Sequence, residues 1–209
     1  MPQKLKPSFN KKILFSLPQP LIGVDEVGRG CLAGPVCAGV VILDESKPFE
    51  HYVDSKTLSE EKREALADDI CANHMFALGW ASVEEIDQVN IRQATFLAMK
   101  RALEDLYKKY PKFKTASVVI DGRDTLPNLG SVKQLAIIKG DQHVRCISAA
   151  SIVAKVARDR LMTEMAIQHP DYGFEKHKGY GTEYHRNAIA KIGITNHHRK
   201  TFGGVKEYI

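Results

Sequence analysis

The apolar positions of the chain fall into short β-like runs in its first and middle parts, with longer helical periods between and after them. From Leu21 an apolar run stops at Asp25 and Glu26, and after a glycine-rich turn residues 35–43 are almost continuously apolar and β-branched. This predicts a strand, a tight loop and a second strand. A polar loop over Asp54 to Leu58 leads to Ser59, which has the chemistry of an N-cap before an acidic first turn and a helix reaching Ile70. Met75 to Ala81, in which Phe76, Leu78 and Trp80 alternate, predicts a third strand. Apolar side chains at positions 86, 89, 91, 96, 97, 99, 103 and 106 fit one or two amphipathic helices ending before Pro111. Ser117 to Ile120 and Leu135 to Ile138 read as buried strands lying beside each other in a covered sheet. Ser148 to Gln168 is a long helix with Lys155 and Arg158 off its apolar face, and Thr182 to Lys191 is a shorter one. Three early strands with short links favour antiparallel pairing, while the later part favours a helix-covered sheet. The expected fold class is mixed α/β.

Composition narrows the possibilities further. The 209 residues, 44% hydrophobic and 26% charged, suit one globular domain rather than a disordered chain. The four cysteines form no C-x-x-C pair and stand in apolar stretches, so buried, reduced thiols are expected rather than disulfides or a zinc site. The longest uncharged run, Gly30 to Leu43, is too short for a membrane helix, and Pro18 and Pro20 interrupt the only segment resembling a signal peptide. A cytoplasmic protein without membrane attachment is expected. The net charge of +5 is unevenly spread: residues 1–20 carry four lysines and no acid, and residues 155–209 carry ten Lys/Arg against six acids. The body between them is slightly acidic, as a metal-binding centre flanked by polyanion-docking ends would be.

Four acids stand where buried strands end: Asp25, Glu26, Asp121 and, shortly after its strand, Asp141. One such carboxylate is usually a turn former or cap. Three strands ending this way, if neighbours, bring the acids to one end of a sheet, where their repulsion calls for a cation. Oxygen donors with no Cys/His metal-ligand spacing nearby select Mg²⁺ or Mn²⁺ over zinc, and such a cluster matches a two-metal phosphodiester site. Adjacent strand residues point to opposite faces, so Asp25 and Glu26 can both serve only if the chain turns at Glu26.

The loop Gly28, Arg29, Gly30 permits close approach of backbone to a phosphate or sugar, with Arg29 a forked donor. It lacks the lysine of a Walker loop and the third glycine of a dinucleotide fingerprint. Ser148 and Ser151 read as residues that cap or stabilise their helix, and Phe96, Met99 and Trp80 as core. His197 and His198 read as part of a solvated basic tail in which Arg199, Lys200 and Lys206 hold phosphates. Tyr180, flanked by glycines beside Lys178, reads as an exposed ring able to stack on a sugar or base.

Taken in order, Gly23 to Gly30 (GVDEVGRG), Leu32 to Pro35 (LAGP), Asp54 to Lys56 (DSK), Ile120 to Gly122 (IDG), Lys139 to Asp141 (KGD), Ser148 to Ile152 (SAASI) and His177 to Tyr180 (HKGY) together resemble the ribonuclease HII family, from about Leu21 to Lys206. The resemblance implies a ribonuclease H-like fold with a mixed five-stranded sheet flanked by helices and a small C-terminal helical portion. The implied division is a basic extension over residues 1–20, a catalytic domain over 21–170 and a basic, substrate-contacting portion over 171–209. It further implies a monomeric endoribonuclease acting on RNA/DNA hybrids and on ribonucleotides embedded in duplex DNA. Two Mg²⁺ or Mn²⁺ ions would be held by Asp25, Glu26, Asp121 and Asp141, with Gly28, Arg29, Gly30, Lys56, Ser148, Lys178 and Tyr180 as substrate contacts. Two departures from the family pattern are Cys31 in place of proline and Thr57 in place of a lysine; they bear on loop rigidity and one phosphate contact. The sister family, ribonuclease HIII, carries an extra N-terminal domain, and the roughly twenty residues before the first strand argue against it. A junction resolvase of the same superfamily and a non-catalytic RNA-binding module are the alternative readings.

Overall fold

The computed structural model describes residues 11–209; the first ten residues of the expected basic extension lie outside the described residues. The chain forms α1 (Lys11–Phe15), β1 (Leu21–Val27), β2 (Val36–Ile42), α2 (Glu60–Asn73), β3 (Met75–Ala81), α3 (Val83–Lys109), β4 (Ser117–Asp121), β5 (Gln134–Ile137), α4 (Gly140–His143), α5 (Arg145–Gln168), α6 (Phe174–His177) and α7 (Glu183–Ile192). The strands make one sheet in the order β3-β2-β1-β4-β5. The meander β1-β2-β3 is antiparallel, and β4 and β5 run parallel to β1. The expected antiparallel start is present, but only the β1–β2 link is short, since α2 lies between β2 and β3; α3 then carries the chain back to begin β4 parallel to β1. β4 is buried as expected, whereas β5 is an edge strand in which only Ile137 is buried.

The period of two in the strands divides the interior into two layers. Ile22, Val24, Val118 and Ile120 face α3, where they join Ile86, Leu103 and Leu106 in one core. The other face carries Val41 and Val119 against α5, with Ala149, Ile152 and Val153 in one cluster and Ile147 in another. Each fully buried Ile or Leu contributes on the order of 1.5–3 kcal/mol, so burial rather than intrinsic propensity holds these helices to the sheet. The helix starts follow the sequence signals: Ser59 caps α2, and Ser82 and Glu85 form a capping box for α3. Within α3 a kink falls at Asn90, whose φ is 68° and whose side chain accepts hydrogen bonds from the Arg92 and Gln93 N–H groups. The one-or-two-helix ambiguity is thus resolved as two helical segments that meet at the non-helical Asn90, whose side chain caps the second.

A fourth cluster joins Leu32 and Ala33 to Met162, Met165, Tyr172, Phe174, Ile189 and Val205, so the C-terminal residues pack onto α5 and the loop after β1. Four expectations need correction. Arg158 is wholly buried rather than turned away from the apolar face of its helix. Cys71 is exposed on α2, and Trp80 is only half buried because β3 is an edge strand. His198 and Arg199, read as a solvated tail, have no exposed surface.

Candidate active site

β1 and β4 are adjacent and parallel, with Val24 opposite Ile120, so the next residue on each strand, Asp25 and Asp121, emerges at the same end and on the same, α5-facing side. Asp141 arrives from the next strand. Beyond β5, Lys139 adopts the left-handed conformation and opens α4, and the Gly140 N–H donates to Asp121 Oδ1 at 2.6 Å. One carboxylate oxygen from each of Asp25, Asp121 and Asp141 lies within 4.8 Å of the others. Glu26 stands apart from this group. β1 runs straight on to Val27 without the turn that would bring Glu26 to the same side, so Glu26 lies on the α3 side, in a small pocket with Arg29, Arg92, Arg123 and Asp121.

The electrostatics follow from depth. Burial, then the charges of Glu26 and Asp121, push the Asp25 carboxyl well above the ordinary carboxylate range, against hydrogen bonds from Ser151 and from the Glu26 N–H at 2.7 Å. Burial and the charge of Asp141 likewise raise Asp121. Glu26 is raised by burial, offset in part by Arg29, whose Nη1 lies 3.2 Å from Oε1. Lys56 Nζ donates to Asp141 Oδ2 at 2.8 Å, with the lysine side chain 74% exposed and the acid 2%. Burial alone would lower the Lys56 pKa, but the bond to Asp141 and the charges of Asp141 and Asp25 raise it. Three converging carboxylates with one ammonium at their rim are an under-neutralised, all-oxygen donor set, which is the chemistry a hard divalent cation fits.

Supporting residues hold this set. Asp54 accepts from the Lys56 N–H and from Gln142, and Thr57 closes the same turn by donating to the Asp54 carbonyl. Arg63 donates to the Ser55 and Leu58 carbonyls and so fixes the segment carrying Lys56. Ser148 does not cap α5: it is fully buried and its hydroxyl bonds the Asp141 carbonyl at 2.7 Å. Ser151 pairs with Ser55.

Beside the acids, the loop after β1 meets the loop carrying Tyr180. Cys31 bridges to Tyr180, and the Leu32 N–H donates to the Gly179 carbonyl at 2.8 Å. Tyr180 is 42% exposed, and among the described residues, chain neighbours aside, a Cβ at Gly30 would meet nothing within 4 Å but its Cε1. Gly28 is glycine for a different reason: its φ is +95°, and a Cβ there would overlap the Arg158 guanidinium. Lys178 turns its ammonium to Thr163, at 2.9 Å, and toward Glu60.

Two buried guanidiniums lie behind these loops. Arg158 donates to the carbonyls of Ala33, Pro35 and Lys178; Arg199 donates to those of Gly28, Arg29 and Gly34. Neither has a carboxylate at ion-pair distance among the described residues. Removing a cation from water costs several kcal/mol even after relaxation, and here carbonyl dipoles supply the compensation. Burial lowers Arg199 to about 10, which leaves it charged at neutral pH.

Sequence reasoning misread both arginines, as an outward-facing residue and a solvated phosphate contact, and did not single out Arg63. A signal for Arg158 existed, since it stands four residues from both Ala154 and Met162 on the buried stripe of α5. Arg199 had none, because its irregular segment has no period.

The model of the ribonuclease HII family matches residues 22–205. A ribonuclease HII of Albidiferax ferrireducens is 50% identical over 198 residues, covering 94% of this chain and 92% of that one. Among solved structures, the ribonuclease HII of Archaeoglobus fulgidus in its complex with PCNA superposes with a TM-score of 0.72 at 24% identity, covering 90% of this chain and 97% of that one. The Bst ribonuclease HIII in complex with Mn²⁺ gives 0.70 at 17% identity, with 90% and 68% covered. The fold is thus shared with these enzymes, and the chain belongs to the ribonuclease HII family of metal-dependent endoribonucleases.

Proposed function

We propose that the protein hydrolyses the RNA strand of RNA/DNA hybrids and cuts on the 5′ side of ribonucleotides embedded in duplex DNA, leaving 3′-hydroxyl and 5′-phosphate ends. The observation that carries this reading is the convergence of Asp25, Asp121 and Asp141 within 4.8 Å at the sheet end, beside a loop whose one open glycine faces an exposed tyrosine. Asp25, Asp121 and Asp141, with Glu26 from the opposite face beside Asp121, would hold two Mg²⁺ or Mn²⁺ ions. Bound there, the ions supply a hydroxide-like nucleophile from water and neutralise charge on the leaving oxygen.

The chain's own residues do the rest. Lys56, exposed and bonded to Asp141, is free to exchange that carboxylate for a substrate phosphate. Ser148 acts through Asp141 by fixing its backbone. The only handle distinguishing one ribonucleotide in a duplex is its 2′-hydroxyl, both donor and acceptor, and the backbone of Gly28, Arg29 and Gly30 with the Tyr180 ring forms the slot that reads it. Lys178, whose ammonium rests against Thr163, would reach a phosphate by leaving that bond. Residues 21–170 form the catalytic part, and 171–209 contribute Lys178 and Tyr180 from the substrate-contacting part. A monomer is the expected state, and the free cysteines fit the reducing cytoplasm.

The test is cleavage of a DNA duplex containing a single ribonucleotide, with Mg²⁺, with Mn²⁺ and without metal, mapping the product ends. Metal-dependent cutting immediately 5′ to the ribonucleotide is expected. Cutting of branched, ribonucleotide-free DNA instead would mark a resolvase, and binding without cleavage would mark an RNA-binding module; either result overturns the proposal.

A further inference from the structure

We propose that Arg158 and Arg199 are specificity-determining positioning residues: a buried two-guanidinium clamp that sets the geometry of the slot between the Gly28–Gly30 loop and Tyr180. The inference rests on the functional reading above and deepens it. Arg158 spans the two walls directly, since its Nη1 donates to the Lys178 carbonyl at 2.8 Å while Nη2 and Nε donate to Ala33 and Pro35 at 3.1 and 2.9 Å. Arg199 holds the other end, with Nη2 on the Gly28 carbonyl at 2.6 Å and Nη1 on that of Arg29 at 2.9 Å.

The direction of these bonds matters more than their number. A trans peptide is planar, with its C=O and the following N–H pointing opposite ways. Drawing the Gly28 and Arg29 carbonyls inward therefore turns the Arg29 and Gly30 N–H groups outward, and neither has a protein acceptor among the described residues. The side they face includes the open space at Gly30 beside the Tyr180 ring. Two positive charges that lie behind the loop, solvated by carbonyl dipoles but without an ion-pair partner among the described residues, add a field that favours an electron-rich oxygen in front of it. A carboxylate partner for either arginine would cancel that field, and no ion pair to either is present among the described residues.

A loosened clamp has a particular consequence for substrate choice. In a continuous RNA strand every nucleotide offers a 2′-hydroxyl, so a slot that slips in register still meets one. A lone ribonucleotide in DNA offers a single hydroxyl and tolerates no slip. Loss of the clamp should therefore depress cleavage of the lone-ribonucleotide duplex far more than cleavage of the hybrid, whereas a simple loss of folded enzyme depresses both equally.

The experiment measures single-turnover cleavage of both substrates by wild type, Arg158→Lys and Arg199→Lys, which keep the charge but lose the fork. The expected result is a fall of at least tenfold in the ratio of lone-ribonucleotide to hybrid rate. An unchanged ratio overturns the clamp, and wild type that cuts neither substrate overturns the functional reading and the clamp with it. Should the lysine variants fail to fold, amide exchange in Asp121→Asn decides. Arg29 and Gly30 N–H groups protected by the lone-ribonucleotide duplex but not by all-DNA duplex support the clamp, and no protection overturns it.

Discussion

Nε2 of His198 lies 3.1 Å from Nε2 of His185, with both residues fully buried. The Thr195 N–H donates to His198 Nδ1, so the proton of His198 sits on Nε2 and points at His185, whose own proton on Nδ1 is then directed to the Tyr180 carbonyl at 2.9 Å. The neutral tautomers form a relay from the tail to the Tyr180 loop. A proton added to His185 Nε2 would set two N–H groups against each other.

Acid should therefore loosen this part of the molecule. Burial, and for His198 the charge of His185, lower both histidines from the ordinary 6.5 to about 4. The unfolded chain takes up protons first, so their contribution to stability is complete above about pH 6.5 and is lost as pH falls from there toward 4. His198→Gln, which keeps a donor near the Nε2 position and removes one titrating group, should show about half the fall of Tm attributable to the pair over that window. An identical pH profile for wild type and variant would exclude the relay from acid sensitivity.

Asp121→Asn should lower metal-dependent cleavage by orders of magnitude while raising stability without metal. Asp121 is a raised acid, so the folded state resists its ionisation; the resulting stability cost is absent below the ordinary carboxylate value, where both states are protonated, and grows as pH rises from there through the folded pKa. Asparagine keeps an acceptor for the Gly140 N–H and removes the charge. A rise of Tm by a few degrees is expected, since about 1 kcal/mol moves Tm by roughly 2–4 °C at this size. A lower metal-free Tm would contradict mutual repulsion.

Gly28→Ala and Gly30→Ala should separate folding from substrate approach. At Gly28 the added Cβ meets Arg158 at a positive φ, so thermal stability should fall. At Gly30 the Cβ meets only the edge of Tyr180, so Tm should hold within a degree or two while cleavage falls at least tenfold. Equal loss of stability in both variants would remove Gly30 from the slot.

Tyr180→Phe should cost about one hydrogen bond, roughly 0.5–1.5 kcal/mol in kcat/KM, and Tyr180→Ala much more because the stacking ring goes. The backbone bonds of residue 180 to Cys31 and His185 do not need the ring. Single-turnover rates per folded molecule check this, and an unchanged rate for the alanine variant would make the ring a packing element.

Of the three tail cations expected to hold phosphates, Arg199 is buried and Lys200 and Lys206 are exposed. Deleting residues 197–209 would remove buried His198 and Arg199, and Asp87 anchors the tail through the Lys200 and Thr201 N–H groups. Lys200→Ala and Lys206→Ala are the cleaner probes. Each should flatten the log–log salt dependence of binding by roughly 0.9 if it neutralises a phosphate, and leave the cleavage position unchanged.

The sequence by itself determined the strands and long helices, because a period of two or of 3.6 records which side of an element is buried, and it marked Asp25, Asp121 and Asp141 as carboxylates closing apolar runs. The ordered motifs carried the family. Strand order, however, is a relation between segments about a hundred residues apart. Only the β1–β4 pairing makes Asp25 and Asp121 neighbours, and only the uninterrupted β1 puts Glu26 on the opposite face. Tertiary structure also decided the fate of the basic C-terminal residues. Charge composition reads an arginine in an irregular, glycine-containing tail as solvated, since burying a cation is costly. At Arg158 and Arg199 that cost is offset by six backbone carbonyls that the chain brings together from the Gly28 and Lys178 loops. No local pattern encodes such a convergence, because its donors and acceptors lie more than a hundred residues apart in all but the Lys178 contact.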